Sequence, residues 1–574
     1  MNLNKLKKMF KEAKELKYAE RKEYEQSCEY YHNNQLSDEV LAILKERGQP
    51  PQSENIFAML VNKVLGYKNQ EQLDIQVLPT QEHNKDLAIL LSNILESLFD
   101  YEWQKESKKL FLDLANGVAI AKIWCVASKT TNKWGEPNKE LHIKRIDPKC
   151  FYIDPYSKGY AAKDSRYFHH IQLISLDEAK KFFKGKITPS CVITNSYGSE
   201  FIRVVETWYK ENDAWHRVFW NNETIFKSEK NVLSFNKTPY VVQKFNIDEK
   251  NNFYGFLRTL KPVLDFINYA ENRMANMLNS TKIFYEKSAV DNPEEFERGA
   301  SMDNVILPVR DGALSGNKIR VDNQAQEISQ IAAKVNEKRN TAQFLVGFNS
   351  EMLGFTNARV STETVMQRNK AGVISLELYM QSTIALQKNM ARMMLDYIQH
   401  YFDTEQVFRL VDKENYEMYY QTINEVVQEN GVAIYENGKP KINNAISFDR
   451  YDIQLSTRTD TDASELKFAT WGEILKTIAT IDLQLVYKLI PMMFSDASNA
   501  TYRKVANIMQ EHIEQMQQNP KQDPNANFNQ AMQQLMLEEK QADINVKKSK
   551  TAENVAKSQY HLKKTDNQGE RNDL

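Results

Sequence analysis

The stretch from Tyr254 to Phe402 constrains this chain more than any other. Between Tyr254 and Ser280, Leu257, Leu260, Leu264, Ile267, Met274 and Met277 recur mostly at steps of three or four, the spacing of one helix face. Pro262 falls inside that stretch and is expected to bend the helix or mark its true start. Gln324 to Val346 repeats the stripe with Ile328, Ile331, Val335, Ala342 and Leu345. A third, much longer helix starts at Ser361 or Thr362, either of which suits an N-cap, and runs to about Phe402. Glu363 in its first turn favours the helix dipole, and Gly372 is its weakest point. A lone monomer has little with which to bury so many long apolar stripes, so the pattern suits a subunit of an assembly better than an enzyme.

Shorter elements surround these helices. Residues 1–46 read as helical, up to the break at Arg47-Gly48-Gln49-Pro50-Pro51. A helix over Asn55–Leu65, a short strand over Asp74–Pro79, a long helix from Asn84 to about Asn116 and a buried strand over Ala119–Val126 follow. From Trp134 to Phe245 the texture is β-rich: Leu141–Ile146, Phe201–Tyr209, Trp215–Trp220 and Tyr240–Phe245 are aromatic and β-branched, with a helix near Leu176–Phe183. Between the first two striped helices lies a small α/β insertion, with strands expected at Val305–Val309 and Lys318–Val321 and an acidic patch at Asn292-Pro-Glu-Glu-Phe-Glu297. Phe348, Met352, Leu353 and Phe355 mark a hydrophobic loop. Strands at Gln406–Val411 and Tyr451–Ser456 precede several helices in 463–515, a Pro/Asn linker and a Gln/Lys-rich helix over 528–564.

Composition narrows the function. Lys+Arg total 75 against 76 Asp+Glu, a net charge of -1. A tight DNA clamp is usually basic, because its affinity comes from neutralised phosphates and released counterions. No apolar run reaches the ~18–20 residues of a membrane span, and the first residues form no secretory signal, so no membrane partner is expected. Four scattered cysteines make neither a disulfide framework nor a zinc site, and a reducing cytoplasm, or a particle assembled there, is the expected compartment.

Catalytic motifs give little. Gly312-Ala-Leu-Ser-Gly-Asn-Lys318 lacks the ending of a phosphate loop and reads as a turn. Asp460, Asp462 and Glu465 offer carboxylates to a divalent cation, but Asp462 also suits an N-cap. His169-His170 has no ligand partner at a zinc-like spacing, so packing is the better reading. No catalytic, cofactor-binding or metal-binding residue is assigned.

Four passages carry a resemblance. Thr238-Pro-Tyr-Val-Val242 is followed by a run in which Tyr254, Gly255, Arg258, Lys261, Asp265 and Asn268 match, with Pro239, a passage of the portal proteins of tailed bacteriophages leading into the stem helix. Met352-Leu-Gly-Phe355, with Ser361 and Gln367–Gly372, resembles the family's next helix start, with Thr362 where Gly is usual. Tyr451–Leu455 with Ser464–Leu466, and Arg47–Pro51 through Asn55 and Val64–Gly66 to Ile75–Pro79, resemble two further passages. The short-tailed-phage branch is the most similar.

The resemblance implies an α+β, helix-rich, multi-part portal subunit. Its parts would be N-terminal helices and a β-rich wing (1–253), stem helix 1 (254–280), a clip (281–323), stem helix 2 (324–346) and a tunnel loop (347–360). A long helix with wing strands (361–462), a crown (463–515), and a linker with a C-terminal barrel helix (516–574) would complete it. Such subunits form a ring, usually of about twelve copies, at one capsid vertex of the virion, assembled in the host cytoplasm. The implied partners are duplex DNA in the channel, the terminase large subunit, tail adaptor proteins, and major capsid and scaffolding proteins; no cofactor is implied. A channel must let DNA slide, which agrees with near-neutral charge. Lys334, Lys338, Arg339, Arg359 and Arg368 are the DNA-channel candidates, although for each of them a solvated helix face or an intersubunit ion pair is the better-favoured reading. Phe348, Met352 and Phe355 are the tunnel-loop candidates, and Glu294, Glu295 and Glu297 the partner-facing candidates of the clip, where a solvated turn is the plain alternative. The competing readings are another structural connector or collar protein and a carboxylate–metal nuclease built on Asp460 and Asp462.

Overall fold

The computed structural model describes residues 1–69, 71–79, 85–183, 187, 192–279, 282–300, 307–322, 325–348, 362–411, 418–429, 432–436, 439–446 and 451–459, and a few between 471 and 493. The chain divides into two units, 1–412 with 417–459, and 413–416 with 460–574. Almost every described residue belongs to the first, which is the unit described below. The expected crown and barrel helix lie, apart from those few residues, outside the described part.

The first 46 residues form three helices, α1 (Leu3–Leu16), α2 (Tyr18–Tyr31) and α3 (Asp38–Glu46). The breaks fall at Lys17 and around Asn33, which adopts a positive φ of 65°. Asn2 and Ser37 cap α1 and α3 through side-chain oxygens. Next come α4 (Ile56–Asn69), strand β1 (Glu71–Pro79) and the 31-residue α5 (Lys85–Ala115). Gly117 ends α5 with φ +133° and turns the chain into β2 (Val118–Thr131), which pairs antiparallel with β3 (Pro137–Arg145).

The β-rich stretch resolves into a six-stranded antiparallel sheet. It contains β4 (Phe151–Ile153), β5 (Tyr167–Ser175), β6 (Val192–Thr194), β7 (Glu200–Glu211), β8 (Ala214–Trp220) and β9 (Ile225–Glu229), with α6 (Leu176–Phe183) after β5. Val204 to Tyr209 in the central β7 are buried on both faces. Leu6 and Ala13 of α1 pack on one side, among Tyr152, Tyr167, Val205 and Trp220. Strand β10 (Tyr240–Lys244) adds to β2 and β3, and the short β11 (Asn246–Ile247) and β12 (Phe253–Tyr254) pair just before the first striped helix.

That helix is α7 (Leu257–Asn279), which runs through Pro262, so the proline does not mark its start. The insertion differs from expectation. Strand β13 (Lys282–Tyr285) pairs antiparallel with β14 (Ile319–Asp322), while the described part of Val305–Val309 is not a strand. The acidic patch is a helix, α8 (Pro293–Ala300), with proline in its first position. Helices α9 (Ala325–Val346) and the 40-residue α10 (Thr362–Tyr401) follow. Strands β15 (Gln406–Val411) and β16 (Met418–Ile423) pair, small two-residue rungs occupy 425–443, and the strand Tyr451–Thr459 closes back antiparallel on β1. Chain segments nearly four hundred residues apart therefore share one ribbon.

The principal core gathers the apolar faces of α4, α5, α7, α9 and α10 with one face of β2 and β3. The expected stripes on α7 and α9 point inward at Leu257, Leu260, Leu264, Ile267, Val335 and Ala342. The mixed α+β class of the sequence reading holds. Among the described residues, no helix is long and apolar enough to cross a membrane.

Candidate functional site

The matched motif residues converge where the N-terminal helices meet the base of α7. At Gly255, a Cβ would stand 2.3 Å from the Ala115 carbonyl oxygen and 2.4 Å from the Asn116 carbonyl carbon, so the end of α5 lies flush against the chain entering α7. The Phe256 N–H donates to Ala115 O at 3.0 Å across that contact. Only a residue without a side chain permits it.

Arg258 then ties α2 to the β11–β12 turn. Its Nε and Nη2 donate to the Glu23 carboxylate at 2.9 and 2.6 Å, and its Nη1 to Asp248 at 3.1 Å. The Glu23 hydrogen bond raises the guanidinium pKa further above its ordinary value. One turn on, Lys261 Nζ donates to Asp265 at 2.6 Å, and the Tyr30 hydroxyl of α2 donates to the other Asp265 oxygen. Asn268 Nδ2 donates to Gln35 Oε1 at 2.8 Å, and Asn272 exchanges hydrogen bonds with the Gln52 backbone at 2.7 and 3.0 Å. Residues at i, i+3, i+7 and i+10 of α7 therefore hold the N-terminal arm along one polar face. The sequence reading matched these residues as a motif without assigning them this task.

A buried charge sits beside this face. Glu20 is pushed up to about 7 by burial, against the pull of Lys17, and accepts the Phe253 N–H at 3.1 Å. Lys17 Nζ lies 3.4 Å from Glu20 and donates to Asn251 O at 2.6 Å.

Helices α7 and α9 pack against each other, braced by charge at the rim. Arg339 reaches Glu54 (Nε–Oε2 2.9 Å) and Glu271 (Nη2–Oε1 2.7 Å), and Arg273 reaches Glu327 at 2.5 Å. Of the expected DNA-channel residues, Lys334 is exposed and paired with Glu337 at 2.6 Å, and Lys338 lies 5.9 Å from the Phe266 ring centroid. Arg339 is held by carboxylates of its own chain. Arg359 lies outside the described residues, as does the side chain of Arg368, whose backbone belongs to α10. Met352 and Phe355 also lie outside them. Phe348 is buried in the principal core, and the preceding Gly347 has φ +90° and no room for a Cβ beside Ser375.

The insertion between α7 and α9 is built around Phe296 of α8, which is buried against Tyr285 with ring centroids 5.0 Å apart. The Tyr285 hydroxyl donates to Glu297 Oε1 at 2.7 Å. Glu294, Glu295 and Glu297 are exposed, on a helix and not on a turn. Residues 311–317 form turns leading into β14, as the sequence reading had it.

Among the described residues, no group of three or more His, Cys, Asp or Glu is placed to hold a metal ion. Asp460, Asp462 and Glu465 lie outside them. His169 is fully buried beside Thr207 Oγ1 at 2.7 Å, and burial lowers its pKa to about 3, which makes it a neutral core residue. Nearby, Glu206 accepts from Lys122, Gln172, Trp208 and Tyr240 at 2.8–3.0 Å. Burial alone would raise its pKa, but Lys122 and these donors hold it well below the carboxylate range.

The comparisons with known proteins agree with the motif. The family model for phage P22-like portal proteins matches residues 7–233 and 211–559. The chain is also 34% identical, over 552 residues, to the portal protein of Helicobacter pylori bacteriophage KHP30, covering 94% of this chain and 87% of that protein. A match across nearly the whole length, with the motif residues seated at the base of α7, places this chain in the family of phage P22-like portal proteins.

Proposed function

We propose that this portal protein forms a ring of about twelve subunits at one capsid vertex, a non-enzymatic conduit for DNA packaging and ejection. The family is a structural one and supports the portal role. The observation that carries the ring reading is the exposed apolar surface of the long helices. Tyr269 and Leu278 of α7, Phe344 and Leu345 of α9, and Ile374 and Leu378 of α10 are all exposed in the single chain. Such a surface on long helices suits burial against further copies.

In this reading 254–280 and 324–346 are the stem and 281–323 is the clip, which docks the terminase large subunit and later the tail adaptors. Residues 1–253 and 361–462 form the wing, 347–360 the tunnel loop, 463–515 the crown and 528–564 a barrel. Glu294, Glu295 and Glu297 offer the clip's partners an exposed acidic helix. Lys334 and Lys338 are the better DNA-proximal candidates on α9, because Arg339 already serves Glu54 and Glu271. Capsid and scaffolding proteins would contact the wing, and assembly would take place in the host cytoplasm.

Negative-stain electron microscopy with mass photometry tests this. Rings with a central hole wide enough for duplex DNA are expected. Protein that stays monomeric at every concentration and salt, and also in the presence of its capsid partners, would overturn the reading.

A further inference from the structure

A cleft of about 410 Å³ lies between the turn at 161–163, the strands β8 and β10, and α10. Part of its lining is apolar: Phe168 stacks on Trp215 with ring centroids 5.8 Å apart, and Met393 of α10 adds to them. Lys163, Lys237 and Arg392 line it against one carboxylate among the described residues, Asp396. Lys237 is paired with Asp396. Lys163 is exposed and has neither an ion pair nor a hydrogen bond among the described residues. Partial burial, Arg392 and Lys237 all lower its pKa, so the two other cations stand close enough to repel it. Ala162, buried just before it, holds φ +50°, a region that a residue with a side chain rarely adopts.

Two neutral donor groups of the lining also lack an acceptor. Neither the Trp215 indole N–H nor the Asn389 side-chain amide makes a hydrogen bond among the described residues, and both residues are half-buried. Asn389, Arg392 and Asp396 stand at i, i+3 and i+7 of α10 and so share one helix face. The cleft therefore holds more donors and more positive charge than it satisfies by itself. It calls for a ligand with charged acceptors for the cations, neutral acceptors for the indole and amide, and an apolar body between them. An inorganic anion has no apolar body and leaves most of the volume empty. Duplex DNA is too broad to enter, and Asp396 repels a row of phosphates. An acidic peptide carries carboxylates, backbone carbonyls and an apolar side chain in one short length.

The geometry points to this cleft as the docking site for an acidic peptide segment of a partner protein, with a large apolar residue between its carboxylates. The apolar side chain covers Trp215 and Met393, the carboxylates meet Lys163 and Arg392, and backbone carbonyls accept from Asn389 and the Trp215 indole. Tryptophan and arginine are the residue types that most often anchor such contacts. The binding goes beyond the ring reading and needs no ring, so the two fail separately.

Fluorescence anisotropy tests the site, with the full-length protein and a fluorescein-labelled peptide of glutamate, aspartate, phenylalanine, aspartate and glutamate in that order. Binding about tenfold weaker for Lys163→Glu than for wild type, and unchanged for Lys181→Glu, supports the site. Lys181 is an exposed residue of α6 outside the cleft, and its variant carries the same change of charge. Asn389→Asp, which puts a carboxylate into the cleft with almost no change of shape, is expected to weaken binding to a similar degree. Equal losses in the Lys163 and Lys181 variants reduce the effect to overall charge and overturn the proposal, as does wild-type protein that binds no peptide at millimolar concentration. A peptide with glutamine and asparagine in place of its acids that binds as tightly also overturns it. Inorganic phosphate that displaces the peptide at equal concentration makes this a small-anion site instead. Binding to monomer that is lost in rings assigns the cleft to a neighbouring copy and overturns the partner reading.

Discussion

Arg339 Nη2 lies 2.7 Å from Glu271 Oε1, and the same guanidinium holds Glu54. One cation thus joins α9, α7 and the segment before α4. Burial and the neighbouring Glu54 charge raise the Glu271 pKa, so the two carboxylates tolerate each other because Arg339 stands between them.

Arg339→Ala is expected to lower subunit stability by about 1 kcal/mol, since all three groups are partly solvated. The loss should be larger at pH 8 than near pH 4.5, where protonation relieves the Glu54–Glu271 repulsion. Thermal unfolding of wild type and variant at the two pH values checks both size and sign.

Glu20 makes a second pH-dependent contribution. Its folded pKa, about 7, lies above its ordinary 4.5. The folded state therefore binds the proton more tightly. This group's contribution to stability is complete below about pH 4.5 and is lost as pH rises through 7. Hydrogen exchange in α1 and α2 should quicken between pH 5 and 8, and Glu20→Gln should flatten that dependence.

Glu206 behaves in the opposite sense. Its folded pKa is depressed, so its contribution is present above its ordinary value of 4.5 and is lost as pH falls below it. Glu206→Gln leaves Lys122 without its carboxylate in a mostly buried site and is expected to cost about 3–5 kcal/mol. Tryptophan fluorescence during unfolding reads this directly, because Trp208 Nε1 donates to Glu206 at 2.9 Å.

Gly255→Ala is expected to destabilise the base of α7 by about 3 kcal/mol, since the new methyl meets backbone atoms that have no rotamer to yield. Soluble yield and melting temperature should both fall, with a larger effect than Gly66→Ala, where a Cβ meets nothing within 4 Å.

Charge reversal at Glu294 and Glu295 should cost about 1 kcal/mol of stability, because both are exposed but sit in the first turn of α8, where acids favour the helix dipole. On the clip reading it should weaken terminase binding in pull-down while rings still form. Unchanged terminase binding would remove these residues from the docking surface.

Much of the local structure was readable beforehand. The helix at Leu176–Phe183 coincides with α6, and most of the stripe residues on α7 and α9 face the core, although Leu345 is exposed. Other features had signals that went unused. Asn292-Pro293-Glu294-Glu295 is a helix start, with a cap residue, proline in the first position and acids in the first turn. Asn268 and Asn272 form a polar i, i+4 pair that continues the row of Arg258, Lys261 and Asp265 on α7, which marks a face that needs partners. The strand expected at Lys318–Val321 coincides with Ile319–Asp322, but its partner Lys282–Tyr285 was not read, because a four-residue strand is too short for alternation to register.

The sequence by itself determined where helices and strands form, which faces they bury, and the family, since each of these depends on residue type at fixed local spacing. The tertiary structure decided which charges meet. Arg258 and Glu23 are 235 positions apart, and nothing in either segment names the other. Periodicity reports that a face is buried, whereas the partner across it follows from the path of the whole chain. That path also decided that Gly255 must lack a side chain, that Arg339 is committed within its own subunit, and that Phe344 is left exposed.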